Sequence, residues 1–416
     1  MHDYVRRHVD GMLDDLLGAF PAVMITGPRG CGKSTTAGAH AASVISLDDE
    51  LQAAAFASGP DAFLAVARRP VLIDEWQLVP SSLSAVKRAV DRDYSPGQFL
   101  ITGSVRSRLM AAGWPGTGRV IPVRQWGMTQ AELSGRAEVD LAWLRAPESL
   151  RPAIVPGAPT VVDYIDAALA GGFPEAILLA PRRRETWYDG YVEQLIHKDV
   201  EPLASLRTPA ALQRLLAAVA ANSAGQPSLA SLAEAANVDQ RTATAYVDIL
   251  EDLRIIQRVP PWFHNRLTRM VKAPKYYVTD AGLAANLARA DKAGVMRDGV
   301  LLGRLLDTFV AAQLRPLLDL AQPRIELFYL RDSQGRHEVD LVLEIPGQGI
   351  IGVEVKASAA VSGHDARHLA WLRDQVPDEF VAGYVLHTGS AAFPLGDRVW
   401  ALPLAALWRP EIACGG

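Results

Sequence analysis

The sequence predicts an α/β chain built from several parts, on three observations. A glycine-rich loop near the N-terminus sits between an apolar strand and a run of small, helix-compatible residues. Further apolar strands alternate with helical stretches behind it, the pattern of a doubly wound parallel sheet. Near the C-terminus, two strands apolar on both faces flank a Pro-Gly-Gln-Gly turn, and strands of that kind are usually covered by helices.

The 416 residues are enough for two to four domains. Hydrophobic residues make up 49% and charged residues 21%, which excludes a disordered chain. The formal net charge of -4 gives no global basic signature, so any nucleic-acid contact must come from a local patch. Two cysteines, Cys31 and Cys414, cannot build a disulfide framework and fit a reducing, cytoplasmic setting. No secretory leader is read in MHDYVRRHVD, and no apolar run of about 18 residues predicts a membrane span.

In the first part, the strand ending at Ile25 leads into Gly27-Pro28-Arg29-Gly30-Cys31-Gly32-Lys33-Ser34-Thr35. This is G-x-x-x-x-G-K-[ST] in its strand–loop–helix setting, where backbone N–H groups and a helix N-terminus cradle phosphates. Lys33 is expected on the β/γ-phosphates of ATP and Ser34 on Mg²⁺. The apolar strand Val71-Leu72-Ile73 ends in Asp74 and Glu75. Asp74 is expected to hold Mg²⁺ through water and Glu75 to polarise the attacking water. A third strand, Gln98 to Ile101, runs into Thr102-Gly103-Ser104, and Val44 to Asp48 reads as a fourth. Thr102 and Ser104 are both candidate γ-phosphate sensors, with simple strand-end capping as the alternative for either.

GPRGCGKST, LIDEWQ and FLITGS, followed by GTGR, resemble the AAA+-related P-loop ATPases common in bacteria and archaea, whose C-terminal half is a domain of unknown function. GGFPEA (Gly171 to Ala176), PPWFHNRLTRMVKAPKYYVTDAGL (Pro260 to Leu283) and VEVKAS (Val353 to Ser358) are similar to that partner domain. The resemblance covers nearly the whole chain and implies ATP binding and hydrolysis. Arg119 falls where the family has a Gly-Arg, which makes it an arginine finger or a structural ion pair. Rings are common among such relatives, so a homo-oligomer is a partner to test for.

The middle of the chain reads as helical from about Thr129 to Ser205, with Tyr188, Tyr191, Leu195 and Ile196 at helical spacing. From Leu212 to Arg258 the grain is finer. Ser228 to Ala236 gives a short helix, Asn237-Val238-Asp239 a turn, and Gln240 to Leu250 a second helix. This is helix-turn-helix spacing, with Gln240, Arg241, Thr242 and Thr244 facing DNA. Downstream, Arg254, Arg258, Arg266, Arg269, Lys272 and Lys275 form a basic run with Trp262 and Phe263 interleaved. Two readings stand side by side: the wing of a winged helix gripping DNA phosphates, or a structural dock.

The C-terminal hairpin carries Glu338 and Asp340 on one strand and Glu354 and Lys356 on the next. Alternation along strands brings Asp340, Glu354 and Lys356 together. Their D-x13-E-x-K pattern resembles the PD-(D/E)XK phosphodiesterase superfamily. That likeness implies that Asp340 and Glu354 coordinate Mg²⁺ and that Lys356 orients the attacking water. It also implies an acid on a preceding helix, where Asp307 stands in the place of the usual Glu.

The expected organisation is therefore a P-loop doubly wound ATPase domain over residues 1–135, a helical subdomain or linker over 136–205, a winged-helix segment over 206–275, and a restriction-endonuclease-like α/β/α domain over 276–416. Two functions follow. One is an ATP-driven enzyme that cuts DNA with Mg²⁺. The other is an ATP-dependent regulatory or defence switch carrying an inert nuclease-like fold.

Overall fold

The computed structural model describes residues 4–103, 118–139, 141–200, 209–263, 273–332 and 334–411. Among them no helix is long and apolar enough to cross a membrane. They form two compact units. The first comprises Met1–Met128 with the short segments Phe173–Glu175 and Asp252–Arg254; the second comprises Thr129–Gly172, Ala176–Glu251 and Ile255–Gly416.

The first unit is built on a five-stranded parallel sheet in the order β2-β3-β4-β1-β5. The strands are β1 (Ala22–Thr26), β2 (Ser43–Ser46), β3 (Val71–Asp74), β4 (Phe99–Gly103) and β5 (Val120–Arg124). β1, β3 and β4 are apolar at nearly every position because helices cover both faces, leaving no alternation to see. The helix Ser81–Arg92 shows the complementary pattern: Leu83, Val86, Ala89 and Val90 recur at helical spacing and are buried against the sheet. The glycine-rich loop follows the C-terminal end of β1. Arg119 stands just before β5, whose first residue Val120 pairs with Ala22 at the start of β1. It therefore lies at the end of the sheet opposite the loop.

The second unit holds the middle and C-terminal parts, with a large core that runs from Ala131 through Tyr164 and Phe309 to Trp408 and a separate cluster on the other face of its sheet. Of residues 136–205, expected as a helical subdomain or linker, the described ones fall in this unit apart from Phe173–Glu175. Its seven-stranded sheet has the order β6-β13-β14-β12-β11-β10-β9. These are β6 (Ala153–Ile154), β9 (Glu326–Arg331), β10 (Glu338–Ile345), β11 (Gly349–Lys356), β12 (Phe380–His387), β13 (Ala391–Gly396) and β14 (Val399–Pro403). β10 and β11 are the expected hairpin, antiparallel with Leu341 opposite Val353. The long helix Gly299–Leu320 packs on the sheet through Leu306, Phe309 and Val310. On the other face, the helix Arg367–Gln375 buries Leu369 and Leu372.

Two helices joined by a short turn occupy residues 228–252, each boundary set by local signals. Ser228 caps the helix Leu229–Ala236, accepting from Ser231 N at 3.0 Å, and Asn237 ends it in a left-handed conformation. Asp239 then accepts from Thr242 N at 2.9 Å at the start of the helix Gln240–Asp252. A two-stranded antiparallel ribbon of β7 (Ile256–Val259) and β8 (Lys275–Val278) follows.

The two glycines that open GGFPEA meet the YYVTDAGL stretch in this unit. Asp280 accepts from Leu283 N at 2.7 Å, capping the helix Ala281–Leu287, and from Gly172 N at 2.6 Å. Tyr188 Oη reaches Asp280 Oδ1 at 3.1 Å. Gly171 has φ +72°, and a Cβ there would lie 2.3 Å from that hydroxyl, so only glycine fits.

Candidate functional site

In the first unit, the loop places its groups where β1 and β3 end. Lys33 begins the helix Lys33–Ala39 and is buried, with Nζ donating to the carbonyls of Pro28 at 2.8 Å and Gly27 at 3.2 Å. Ser34 Oγ donates to Asp74 Oδ1 at 2.8 Å. Thr102 Oγ1, fully buried on β4, donates to the same oxygen of Asp74. Strand order explains the convergence: β4 lies between β1 and β3 and carries Thr102 to the level of the acid. Hydroxyl and carboxylate oxygens of this kind are the hard donors that Mg²⁺ takes, so Ser34 and Asp74 fit that ion.

Glu75 turns the chain with φ 53° and is half-buried. Burial raises its carboxyl above the ordinary range, with Lys33, Gln77 and Arg29 pulling back. Gln77 Nε2 donates to Glu75 Oε2 and aims the carboxylate. Cys31 and Thr36 are buried, while Ser34 and Thr35 are exposed.

Two residues outside the motif, Arg7 and Gln125, brace the loop. Arg7 donates to the carbonyls of Cys31 at 3.0 Å and Trp126 at 2.8 Å. Gln125 Nε2 donates to Cys31 O at 3.2 Å and Thr36 Oγ1 at 3.0 Å. The Gln125 carbonyl passes so near Gly27 that a Cβ there would lie 2.0 Å from it, which makes glycine obligatory. The sequence signal for Arg7 and Gln125 is absent from the motif, because both reach it through the fold. Arg119 pairs with Asp91 at the end of the sheet away from this loop. Ser104 lies outside the described residues.

In the second unit, the hairpin brings together the expected C-terminal residues. Asp340 Oδ2 accepts from Val355 N at 3.0 Å, and Lys356 Nζ donates to Glu354 Oε2 at 2.8 Å. Glu354 is almost wholly buried, and its Oε1 has no hydrogen-bond partner. Burial, then the charge of Asp340, pushes its carboxyl up to about 8. Asp307, on the helix Gly299–Leu320, is raised well above the carboxylate range by burial and then by Asp340. The three acids thus feel one another, but among the described residues no three His, Cys, Asp or Glu side chains are arranged to hold a metal ion.

Sequence reasoning placed Lys275 in the basic run; it lies instead in this cluster. It is 2% exposed, with Nζ 3.5 Å from Asp340 Oδ1 and 4.0 Å from Glu338 Oε1. Burial opposes its charge, yet Tyr277 and the acids hold the ammonium above the lysine range. The rest of the described run is also engaged. Arg258 pairs with Asp248 at 2.9 Å and with Glu251, and Arg254 stacks over Trp126 at 5.7 Å. Arg266, Arg269 and Lys272 lie outside the described residues. On the second helix of the helix-turn-helix, Gln240 and Arg241 are exposed, while Thr242 and Thr244 bond to Asp239 and to their own helix.

A parallel sheet with a phosphate loop, a hydroxyl–acid convergence at its strand ends and a following glutamate defines a P-loop protein of the AAA class. The AAA domain family matches residues 19–134. Two domains of unknown function, DUF8612 and DUF4143, match residues 161–294 and 302–407. The chain belongs to the family of the uncharacterized proteins Rv2008c of Mycobacterium tuberculosis (strain ATCC 25618 / H37Rv) and Mb2031c of Mycobacterium bovis (strain ATCC BAA-935 / AF2122/97). It is 30% identical to each over 406 residues, covering 96% of this chain and 83% of theirs. Among solved structures, the Walker-type ATPase PABY2304 of Pyrococcus abyssi aligns over 68% of this chain and 96% of its own, at 14% identity and TM-score 0.39. The Aeropyrum pernix ORC1 protein in complex with DNA aligns over 71% and 96%, at 13% identity and TM-score 0.24. Superpositions this loose carry no residue roles across.

Proposed function

We propose that this protein is an ATP-hydrolysing switch, with Mg·ATP turned over at the P-loop and a C-terminal module of nuclease-like pattern that works by interaction and not by cutting. The observation that carries the ATPase half is the meeting of Ser34 and Thr102 on one oxygen of Asp74. Mg²⁺, when bound, supplies charge neutralisation for the β- and γ-phosphates. Lys33 contacts those phosphates, and loop N–H groups orient them. Glu75 accepts a proton from water as the water oxygen attacks the γ-phosphorus and ADP leaves. Gln77 keeps the Glu75 carboxylate aimed, and Thr102 senses whether the γ-phosphate is present. Phosphate release by the wild type, with loss in Lys33→Ala and in Glu75→Gln, is the test; turnover equal in all three sinks the assignment.

The non-cutting half is supported by the engagement of the C-terminal carboxylates with Lys275, Lys356 and Val355 N–H. Exposed Gln240 and Arg241 support DNA as a partner for the helix-turn-helix. The second reading is Mg²⁺-dependent DNA cleavage, favoured by the buried, unpartnered Glu354 Oε1 beside Asp340. Plasmid and single-stranded DNA incubated with Mg²⁺ or Mn²⁺, with and without ATP, separate the two. Cleavage that Lys356→Ala abolishes establishes the second; intact DNA with ongoing ATP turnover supports the first.

A further inference from the structure

The acid cluster of the second unit carries a cation of its own. Lys275 opens β8, 65 residues before Asp340 in sequence, and is buried against it. An ammonium has three N–H donors. Three oxygens stand around Nζ: Asp340 Oδ1 and the Asp340 carbonyl, each at 3.5 Å, and Glu338 Oε1 at 4.0 Å. Lys356 serves Glu354 in the same way at 2.8 Å. Asp340 and Glu354 are thus matched one for one by two lysines. Of their four carboxylate oxygens, three are engaged: Asp340 Oδ1 by Lys275, Asp340 Oδ2 by Val355 N–H, and Glu354 Oε2 by Lys356. Apart from Asp307 on the helix Gly299–Leu320, the one left is Glu354 Oε1, a single free donor from the hairpin, whereas Mg²⁺ takes one or two carboxylates in a near-octahedral shell completed by water. The residues present do not fit a divalent cation.

We infer that Lys275 is the built-in counter-ion of this cluster, a positioning residue that fixes Asp340 and keeps divalent cations out. An ammonium buried to 2% exposure is costly unless it is paired, so its place here has an electrostatic purpose. Its counterpart in the hairpin, Lys356, is 30% exposed and belongs to the motif itself; Lys275 comes from a different segment and gives Asp340 a counter-charge of its own. The inference rests on the non-cutting reading of the C-terminal module.

The test uses the full chain without nucleotide. Thermal unfolding and Mn²⁺ binding, followed by the paramagnetic resonance of free Mn²⁺, are compared for wild type, Lys275→Met, Lys275→Arg, Asp340→Asn and the Lys275→Met/Asp340→Asn pair. Wild type and Lys275→Arg are expected to melt at the same temperature in EDTA and in millimolar Mn²⁺. Lys275→Met is expected to melt lower in EDTA, to regain part of the loss in Mn²⁺, and to bind one Mn²⁺ that the added Asp340→Asn removes. A wild-type melting temperature that rises with Mn²⁺ and stops rising in Asp340→Asn overturns the counter-ion role. So does a Lys275→Met protein as stable as wild type. Should Lys275→Met not fold, the wild-type and Lys275→Arg titrations still decide. Mn²⁺ stabilisation without DNA cleavage refutes this inference alone; cleavage by the wild type refutes the non-cutting reading.

Discussion

Replacing Lys33 with Ala should weaken ATP binding by a moderate factor, and the structure says why. Lys33 Nζ already donates to Pro28 O at 2.8 Å and Gly27 O at 3.2 Å. Reaching a phosphate exchanges those bonds for stronger ones, so only the difference appears in affinity. Hydrogen bonds to charged groups contribute about 1.5–3 kcal/mol each, which leaves a net loss of about 2 kcal/mol, or roughly 30-fold in Kd. The same substitution leaves two loop carbonyls without their donor. That costs about 1 kcal/mol without nucleotide, a fall of about 4 °C in Tm for a unit of this size. Titration with a fluorescent ATP analogue reads the first effect and calorimetry without nucleotide the second. A Lys33→Ala protein with wild-type affinity would refute the phosphate role. One with lost affinity and unchanged Tm would refute the loop-pinning role.

Other expectations follow from single contacts. Glu75→Gln should retain ATP and slow turnover by about 10²–10⁴-fold in single-turnover phosphate release. Gln77→Leu, which removes the donor to Glu75, should lower kcat with ATP affinity unchanged; a parallel loss of affinity would point to loop collapse instead. Asp280→Ala removes the acceptor of two backbone N–H groups and the Tyr188 hydroxyl, and should destabilise the second unit by about 3 kcal/mol in urea unfolding. His40 is bonded to Asp10 at 3.1 Å, which raises its folded pKa above the ordinary histidine value. Its stabilisation of the first unit is full below the unfolded pKa of about 6.5 and fades as pH rises through the folded one. His40→Gln should flatten that part of the stability–pH curve; an unchanged slope assigns the pH dependence elsewhere.

The legible parts of this chain are those whose signal is contiguous. The loop Gly27 to Thr35, the acids Asp74 and Glu75, and the hairpin that aligns Asp340 with Glu354 each occupy a short stretch bounded by apolar strands. The illegible parts depend on contacts far apart in sequence. Arg7 and Gln125 brace the P-loop from 24 and 94 residues away. Lys275 read as one cation among several because nothing local marks its burial against Asp340. Arg258 looked available because its partners, Asp248 and Glu251, precede the basic run on the helix before it. Residues 136–205 read only as a helical subdomain or linker, because a two-residue strand carries no periodicity to detect.

That short strand has a consequence for how the protein is made. β6, residues 153 and 154, closes the outer edge of the C-terminal sheet by pairing with β13 at residues 391 and 392. Tyr164 and Leu144 are likewise bonded to Ala405 and Tyr384, about 240 residues later. During synthesis the early segment must wait on the ribosome-bound chain for almost all of the remaining sequence before its partners emerge. A fragment started at the boundary of the DUF4143 match, residue 302, would be born with β13 uncovered. An unpaired sheet edge recruits other edges, so such fragments should aggregate on expression, whereas those begun at Thr129 should stay dispersed.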